Sequence, residues 1–547
     1  MTAYPSSTSA RPGLARARRR PFSEPPARAQ QHVVRMTDGT LLATDVYMPK
    51  GRRGSVLLCR LPYDKAGSEC FMPDIATWFN ERGYVVVVQD VRGKLRSGGK
   101  ATPFEHEGRD GFETLAWITR QSWSLGAVGM FGDSYMGFSQ WAVAALGHPA
   151  LGAITPRVTL ADFRSLFYRQ GVFALETAMT WALETWVDEA LYDYADGLDW
   201  TARPLSDIAP RALGGIRPSG LDAWAMGRLP PSATVPARGS VPALHLGGLD
   251  DLMLRGQLDA WRRSRRGPTS QYLILDARDH AWTLRRSEGT VYEDPQSSTG
   301  AMQRFLDDYL QPLADFFDRE LRSRGKYDFA PVRWRTHQGT FHEDKLWPPE
   351  GLLETTRFLT GGGNLSPSPG RVTKILEWSH DPCDPIPTLA HVYYPLVEPA
   401  DERSTLERED ALVFATEPAR RSELLIGPAE LETSFSSSAP SAHVIATLYD
   451  LSPQGSVRRI ADGAAMARGP WPASVTIDLG DLGYELPAGH ALAICIAGSS
   501  FPRYLVHPGN GNDPWTTTDF DTPSHSIAVG GDTGSRLLYY GCAKDHT

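Results

Sequence analysis

A serine set between glycines, an aspartate and a histidine, each at the end of an apolar run, are the residues best suited to chemistry in this chain. They are Ser134 in GDSYMG (132–137), Asp250 in GGLDD (247–251) and His280 in DARDHAW (276–282). A serine hydroxyl is a poor nucleophile until a base takes its proton. An imidazole serves as that base when a carboxylate holds it in the correct tautomer. In the order Ser134, Asp250, His280 these side chains can compose a centre that attacks ester or amide carbonyls.

Their surroundings supply the positions such a centre needs. AVGMFG reads as a buried strand and YMGFSQWAVAALG as a helix, so Ser134 falls at a strand-to-helix corner, where an α/β-hydrolase lifts its nucleophile above the sheet. Alone, a glycine-flanked serine reads more readily as a helix cap, and it is the strand, the helix and the downstream acid and base that turn the reading to a catalytic one. Asp250 follows the strand PALHLGG (242–248) and His280 follows QYLILDA (271–277), consecutive strands whose loops can meet at one sheet edge. Asp251, Asp276 and Asp279 are rivals for the acid. His148 and His245 are rivals for the base, and both read better as packing residues. For the oxyanion, the Tyr135 amide is one donor, and the neutral hydroxyl of Tyr63 in LPYDK (61–65) is a second candidate that could equally pack at the loop base.

Stepping outward from the site, strands and helices alternate from about residue 33, the pattern of a largely parallel sheet covered on both faces. Residues 33–159 and 236–330 form the expected catalytic domain, and the aromatic-rich helical stretch 160–235 a cap inserted in it. Residues 331–547 change to short alternating runs separated by Pro, Gly and Asp, which predicts an antiparallel sandwich of jelly-roll type. The fold class expected is thus α/β: an α/β-hydrolase with a helical cap and a C-terminal all-β domain. Residues 1–32, dense in Arg, Pro and Ala, are expected to be a disordered basic tail.

Composition excludes several other classes. The chain has 547 residues and a net charge of -8, so no field attracts a polyanion and nucleic acid is not an expected partner. No run of 18 apolar residues occurs, which excludes a membrane span. Arg18, Arg19 and Arg20 are followed by Pro, Ser and Glu rather than an apolar export segment. The five cysteines lack metal-ligand spacing and fit a reducing cytoplasm. Asn510, Asn512, Asp513, Asp519 and Asp521 do not have the spacing of a calcium loop, and no phosphate-cradling glycine motif is present. Neither a metal nor a cofactor is expected. The expected partner is a small-molecule ester or amide, with a homodimer left open.

The stretches LPYDK, GYVVVVQDVRGKLRSGG (83–99), GAVGMFGDSYMGFSQWAVAA (126–145), GGLDD, HDPCDPIPT (380–388) and SSSAPSAHVIATLYDLSPQG (436–455) together resemble the cocaine esterase and X-Pro dipeptidyl-peptidase family of serine hydrolases. The resemblance implies Ser134 as nucleophile, Asp250 as acid, His280 as base, and the Tyr63 hydroxyl with the Tyr135 amide as oxyanion hole. It also implies a helical cap and a C-terminal jelly roll. Within GVFALETAMTW (171–181), Trp181 corresponds to a pocket tryptophan; it and Leu252 are the substrate-contact candidates. The chain departs from the family at Asp133, where a small or apolar residue is common, at Leu249, and in DARD before His280. Hydrolysis through an acyl-enzyme is the expected reaction. Acyl transfer to an alcohol or amine, a dipeptidyl-peptidase-like activity and a non-catalytic binding role are the alternatives.

Overall fold

Two apolar runs, Gly54–Leu61 and Val85–Asp90, are buried at every position, as strands covered on both faces must be. In the computed structural model, which describes residues 17–194, 198–235, 241–286, 289–291, 293–324, 330–337, 339–389 and 400–543, they pair in parallel within a ten-stranded sheet. From one edge to the other its order is His342–Asp344, Val332–Trp334, Gln271–Asp276, Ala243–Gly248, Leu151–Arg157, Ser124–Asp133, Gly54–Leu61, Val85–Asp90, Leu41–Tyr47 and Gln30–Arg35. The strands from Val332–Trp334 to Val85–Asp90 are all parallel, and the hairpin Gln30–Arg35/Leu41–Tyr47 adds antiparallel to their end.

The two-residue period of a strand sends alternate side chains to opposite helical layers. Leu57, Val86 and Val88 join the helices Met72–Glu81 and Thr299–Arg322 in one apolar cluster. Val56, Leu58, Val85 and Val87 pack with Glu107–Thr119 and Tyr135–Ala144 in another. The sheet ends are thereby fixed between two packed layers, and the loops leaving them are aimed by a rigid base.

Between Leu151–Arg157 and Ala243–Gly248 the chain forms short helices, among them Arg164–Phe167, Leu175–Thr185 and Leu221–Ala225. Their aromatic residues share a core with Tyr135 and Phe138 of the helix after Ser134 and with Leu505 and Trp515 from the C-terminal part. That part is an antiparallel two-sheet sandwich, with Glu423–Ser437 central in one sheet and Ser441–Leu451 in the other. Its long segment between Ala491–Ala497 and Ser524–Val529 grips the insertion through Leu505 N–H to Phe173 O (2.9 Å) and Trp515 Nε1–H to Asp222 Oδ1 (2.9 Å).

Two boundaries differ from expectation. The catalytic sheet runs past residue 330, since Val332–Trp334 and His342–Asp344 pair on its edge rather than in the sandwich. The expected tail of residues 1–32 is ordered where it is described: Ala17–Arg19 pairs antiparallel with Tyr192–Tyr194 of the insertion. Arg19 bonds Glu189, and Arg20 bonds Glu69 and Asp193. Backbone pairing and charge pairs from Arg19 and Arg20 to neighbouring loops hold this segment, so its sequence shows no apolar period. Residues 1–16 lie outside the described residues.

Candidate active site

The strand Ser124–Asp133 ends one residue before Ser134, and the helix Tyr135–Ala144 begins one residue after it. The corner forces Ser134 to φ 54° and ψ -121°, a region costly for any residue with a Cβ. Backbone bonds hold it there. Ser134 N–H donates to Arg157 O (3.0 Å), and Ser134 O accepts from Thr159 Oγ1 (2.5 Å) and from the amides of Gly137 and Phe138. Gly137 is required by this crowding, because a Cβ there would stand 2.4 Å from Thr159 Cγ2.

Ser134 Oγ lies 3.1 Å from His280 Nε2, and His280 Nδ1 lies 2.6 Å from a carboxylate oxygen. That oxygen is Oδ2 of Asp251; the expectation of Asp250 is corrected by one residue. The reason is local. After Ala243–Gly248, the amides of Leu249 and Asp250 still donate to the neighbouring strand's extension, at Asp276 O (2.8 Å) and Arg278 O (3.1 Å). The chain turns only at Asp251, whose N–H donates back to Gly248 O and whose Oδ1 accepts Met253 N–H at 2.6 Å. The turn swings the second carboxylate of the pair onto the imidazole. Gly248 lets the acid and histidine loops approach, since a Cβ on it would meet Arg278 O at 2.2 Å.

The other rivals have structural duties. Asp276 binds Arg278 and Arg335, and Asp279 Oδ1 accepts Thr283 N–H within its own loop. His245 is buried between Gln257, Ser264 and Gln271, and burial lowers its pKa to about 4. His148 packs edge-on to Phe112.

Opposed effects act on the His280 imidazole. Burial disfavours its charge, but the Asp251 carboxylate, joined by Asp133 and Asp279, overcomes this and holds its pKa above the ordinary value. Asp133, next to Ser134 in the chain, accepts the Tyr309 hydroxyl at 2.6 Å and faces the Arg157 guanidinium at 3.7 Å. Burial raises the Asp133 pKa, while Arg157 and Tyr309 oppose that rise.

Tyr63 sits on the loop after Gly54–Leu61. Burial pushes its phenol far above the ordinary range, against the Trp181 indole and the Ser134 side chain, so it stays neutral and able to donate. Trp181 Nε1–H donates to its oxygen at 3.2 Å. The Tyr135 amide opens the helix Tyr135–Ala144, where it has no partner within the helix. The Tyr135 hydroxyl donates to Glu107 Oε1 (2.8 Å) and accepts Phe104 N–H (3.0 Å), locking the residue in place.

A narrow pocket opens from Ser134 and His280, walled mainly by Phe163, Leu166, Phe167, Trp181 and Met253. Trp181 therefore lines the site as expected, whereas Leu252 does not line it and Met253 does. Leu252 packs beside the same aromatic core, and its carbonyl accepts a bond from Arg169. The stretch DFRSLF (162–167), apolar on one side of a short helix, is the signal in the sequence that marks the remaining wall.

The fold and this arrangement define an α/β-hydrolase. Residues 38–282 match the X-Pro dipeptidyl-peptidase (S15) family and residues 325–538 match the X-Pro dipeptidyl-peptidase C-terminal non-catalytic domain. The chain is 28% identical over 536 residues to cocaine esterase from Rhodococcus sp. (strain MB1 Bresler), covering 87% of this chain and 91% of that protein. It is 25% identical over 439 residues to a putative Xaa-Pro dipeptidyl-peptidase from Streptomyces avermitilis, covering 73% of this chain and 57% of that protein. Among solved structures, an aminopeptidase from a marine sediment Thaumarchaeota archaeon superposes with TM-score 0.76 at 19% identity, covering 98% of each chain. An α-amino acid ester hydrolase does so with TM-score 0.75 at 22% identity, covering 96% of this chain and 98% of its own; these two likenesses are of fold. The chain thus carries an S15-family domain followed by the C-terminal domain of X-Pro dipeptidyl-peptidases, and it is a serine hydrolase of ester or amide bonds.

Proposed function

We propose that this protein hydrolyses a small ester bearing an apolar group, through an acyl-enzyme on Ser134. His280 takes the Ser134 proton as the hydroxyl attacks, and Asp251 keeps the imidazole in the Nδ1–H tautomer and balances its charge. The Tyr63 hydroxyl and the Tyr135 amide receive the oxyanion. His280 then returns the proton to the leaving group and draws one from the water that releases the acid. The observation that carries the reading is the unbroken series Asp251, His280, Ser134 opening directly into an apolar pocket.

An ester fits better than a peptide with a free amine. Such an amine calls for a free carboxylate, and Asp133, next to Ser134, is engaged by Tyr309 and Arg157 while Asp251 is engaged by His280. Among the described residues no helix is long and apolar enough to cross a membrane. Cys59, Cys70, Cys383 and Cys495 are free thiols, which supports a cytoplasmic setting.

Short-chain p-nitrophenyl esters with acyl groups of increasing size test the proposal, compared with aminoacyl-proline anilides. Turnover of the esters, a stoichiometric acyl adduct on Ser134 by intact mass, and loss of both in Ser134→Ala are expected. Anilide hydrolysis outpacing every ester would overturn the ester assignment, and undiminished Ser134→Ala activity would overturn the nucleophile.

A further inference from the structure

We propose that Trp181 is a positioning residue for the oxyanion hole, its indole N–H setting the rotation of the Tyr63 hydroxyl so that the phenol's proton points at the reacting carbonyl. The inference rests on the reading of Tyr63 as an oxyanion donor and adds a residue that acts through it.

The argument is one of donors and acceptors. An indole N–H can only donate, so across the 3.2 Å contact the Tyr63 oxygen is necessarily the acceptor. A phenolic O–H prefers the plane of its ring, which leaves it two orientations half a turn apart. With the Trp181 N–H occupying one side of the oxygen, the proton is driven to the other. The other hydrogen-bonding neighbour of the phenol is the Ser134 side chain, where the substrate carbonyl must come, while Cys70 and Glu184 act on it through charge alone. Accepting one hydrogen bond also strengthens the bond the hydroxyl donates, because the two polarise each other in a buried site.

Trp181 is held firmly enough for this task. Its ring stacks on Trp224 (6.0 Å, 20°) and on Phe163 (6.2 Å, 7°). It sits on the helix Leu175–Thr185, whose C-terminal end is tied down by Lys94. The Lys94 ammonium is buried, and its Nζ donates to the carbonyls of Thr185, Asp188 (2.7 Å) and Ala190 (2.8 Å). The helical insertion therefore supplies part of the catalytic electrostatics as well as a pocket wall. A substrate group that presses on the indole is expected to alter kcat as well as KM.

A double-mutant cycle in the full-length enzyme tests this with a small acetyl ester, which exerts little demand on the pocket. Tyr63→Phe is expected to lower kcat by about 10²-fold. Trp181→Phe, which keeps an aromatic ring and loses the N–H, is expected to lower kcat by about tenfold with little change in KM. In the Tyr63→Phe background, Trp181→Phe is expected to cost nothing further. Replacement of Trp181 by benzothienylalanine, which keeps the bicyclic shape without the N–H, is expected to match Trp181→Phe and separates the hydrogen bond from any loss of packing. The same loss from Trp181→Phe with and without the Tyr63 hydroxyl, or full activity with benzothienylalanine, would show a wall residue only and overturn the proposal while leaving Tyr63 as donor. An unchanged kcat in Tyr63→Phe would overturn the oxyanion reading itself.

Discussion

His280 in the active site and four buried histidines of the C-terminal sandwich are opposites built from one side chain. His380, His443, His507 and His525 are all buried, with the rings of His380 and His525 5.8 Å apart and those of His443 and His507 5.1 Å apart. Hydroxyls and backbone serve their nitrogens: Ser441 at His507, Ser437 at His525, and the His507 carbonyl at His380. Burial lowers all four, and the other histidines add to this for His443, His507 and His525; His507 falls to about 4 and His525 to about 3. The His507 carbonyl, then Asp410 and Asp381, act the other way on His380, while Arg468 reinforces the effect on His507. His280 is raised because one carboxylate stands 2.6 Å from its Nδ1. Burial supplies the same penalty in both places, and the bonded Asp251 carboxylate reverses its effect on His280, whereas the hydrogen bonds of these four sandwich rings are made with hydroxyls and backbone.

The contrast is most severely tested at that carboxylate. Asp251→Asn is expected to lower kcat/KM by about 10³- to 10⁴-fold, because an amide can hold the imidazole in the wrong tautomer and leaves its charge unbalanced. Asp250→Asn is expected to change kcat/KM by less than about threefold, since both His280 nitrogens already have their partners in Asp251 and Ser134. Steady-state kinetics on one ester decides between them, and the reverse ranking would return the acid role to Asp250.

Proton linkage gives two smaller effects. His280 must be neutral to accept the serine proton, so its raised pKa places the acid limb of the kcat/KM profile above the ordinary histidine value of 6.5. Asp133→Asn removes a carboxylate that helps raise it, and the limb is expected to move down by a fraction of a pH unit. A limb that does not move would confine Asp133 to a packing role with Tyr309 and Arg157.

In the sandwich the sign of the linkage is reversed. The four histidines bind protons more weakly folded than unfolded, so the unfolded state gains protons first as pH falls below about 6.5. Their stabilising contribution is complete above that value and is lost progressively toward the folded pKa values of about 4 and about 3 given for His507 and His525. The thermal midpoint is expected to drop between pH 7 and pH 4.5, and His525→Phe should make that drop shallower by removing one titrating ring. An equally steep drop in the variant would exclude His525 as a contributor.

Much of the catalytic centre is legible from local pattern. The strand-to-helix corner at Ser134 declares itself because the backbone strain there and the close packing at Gly137 demand a strand, small neighbours and a helix in immediate succession. His280 follows from its place after a buried strand, and the change from helical to alternating patterns announces the C-terminal sandwich. These features are local, so a few adjacent residues carry them.

The remaining features depend on long-range geometry. Aspartates 250 and 251 are chemically identical neighbours, and only the extra ladder bonds to Asp276 and Arg278 determine that the turn comes at the second. The arginines of the N-terminal strand look like a free tail until Glu69, Glu189 and Asp193 are brought to them from distant positions. Met253 rather than Leu252 faces the pocket because the helix Leu254–Ser264 begins there, at an angle set by packing on the sheet. The amino-acid order determined which groups can react and on which kinds of element they stand. Which of two adjacent carboxylates meets the imidazole, and which side chains close the pocket, was decided only in the folded chain, since side-chain direction depends on hydrogen bonds to residues far away in sequence.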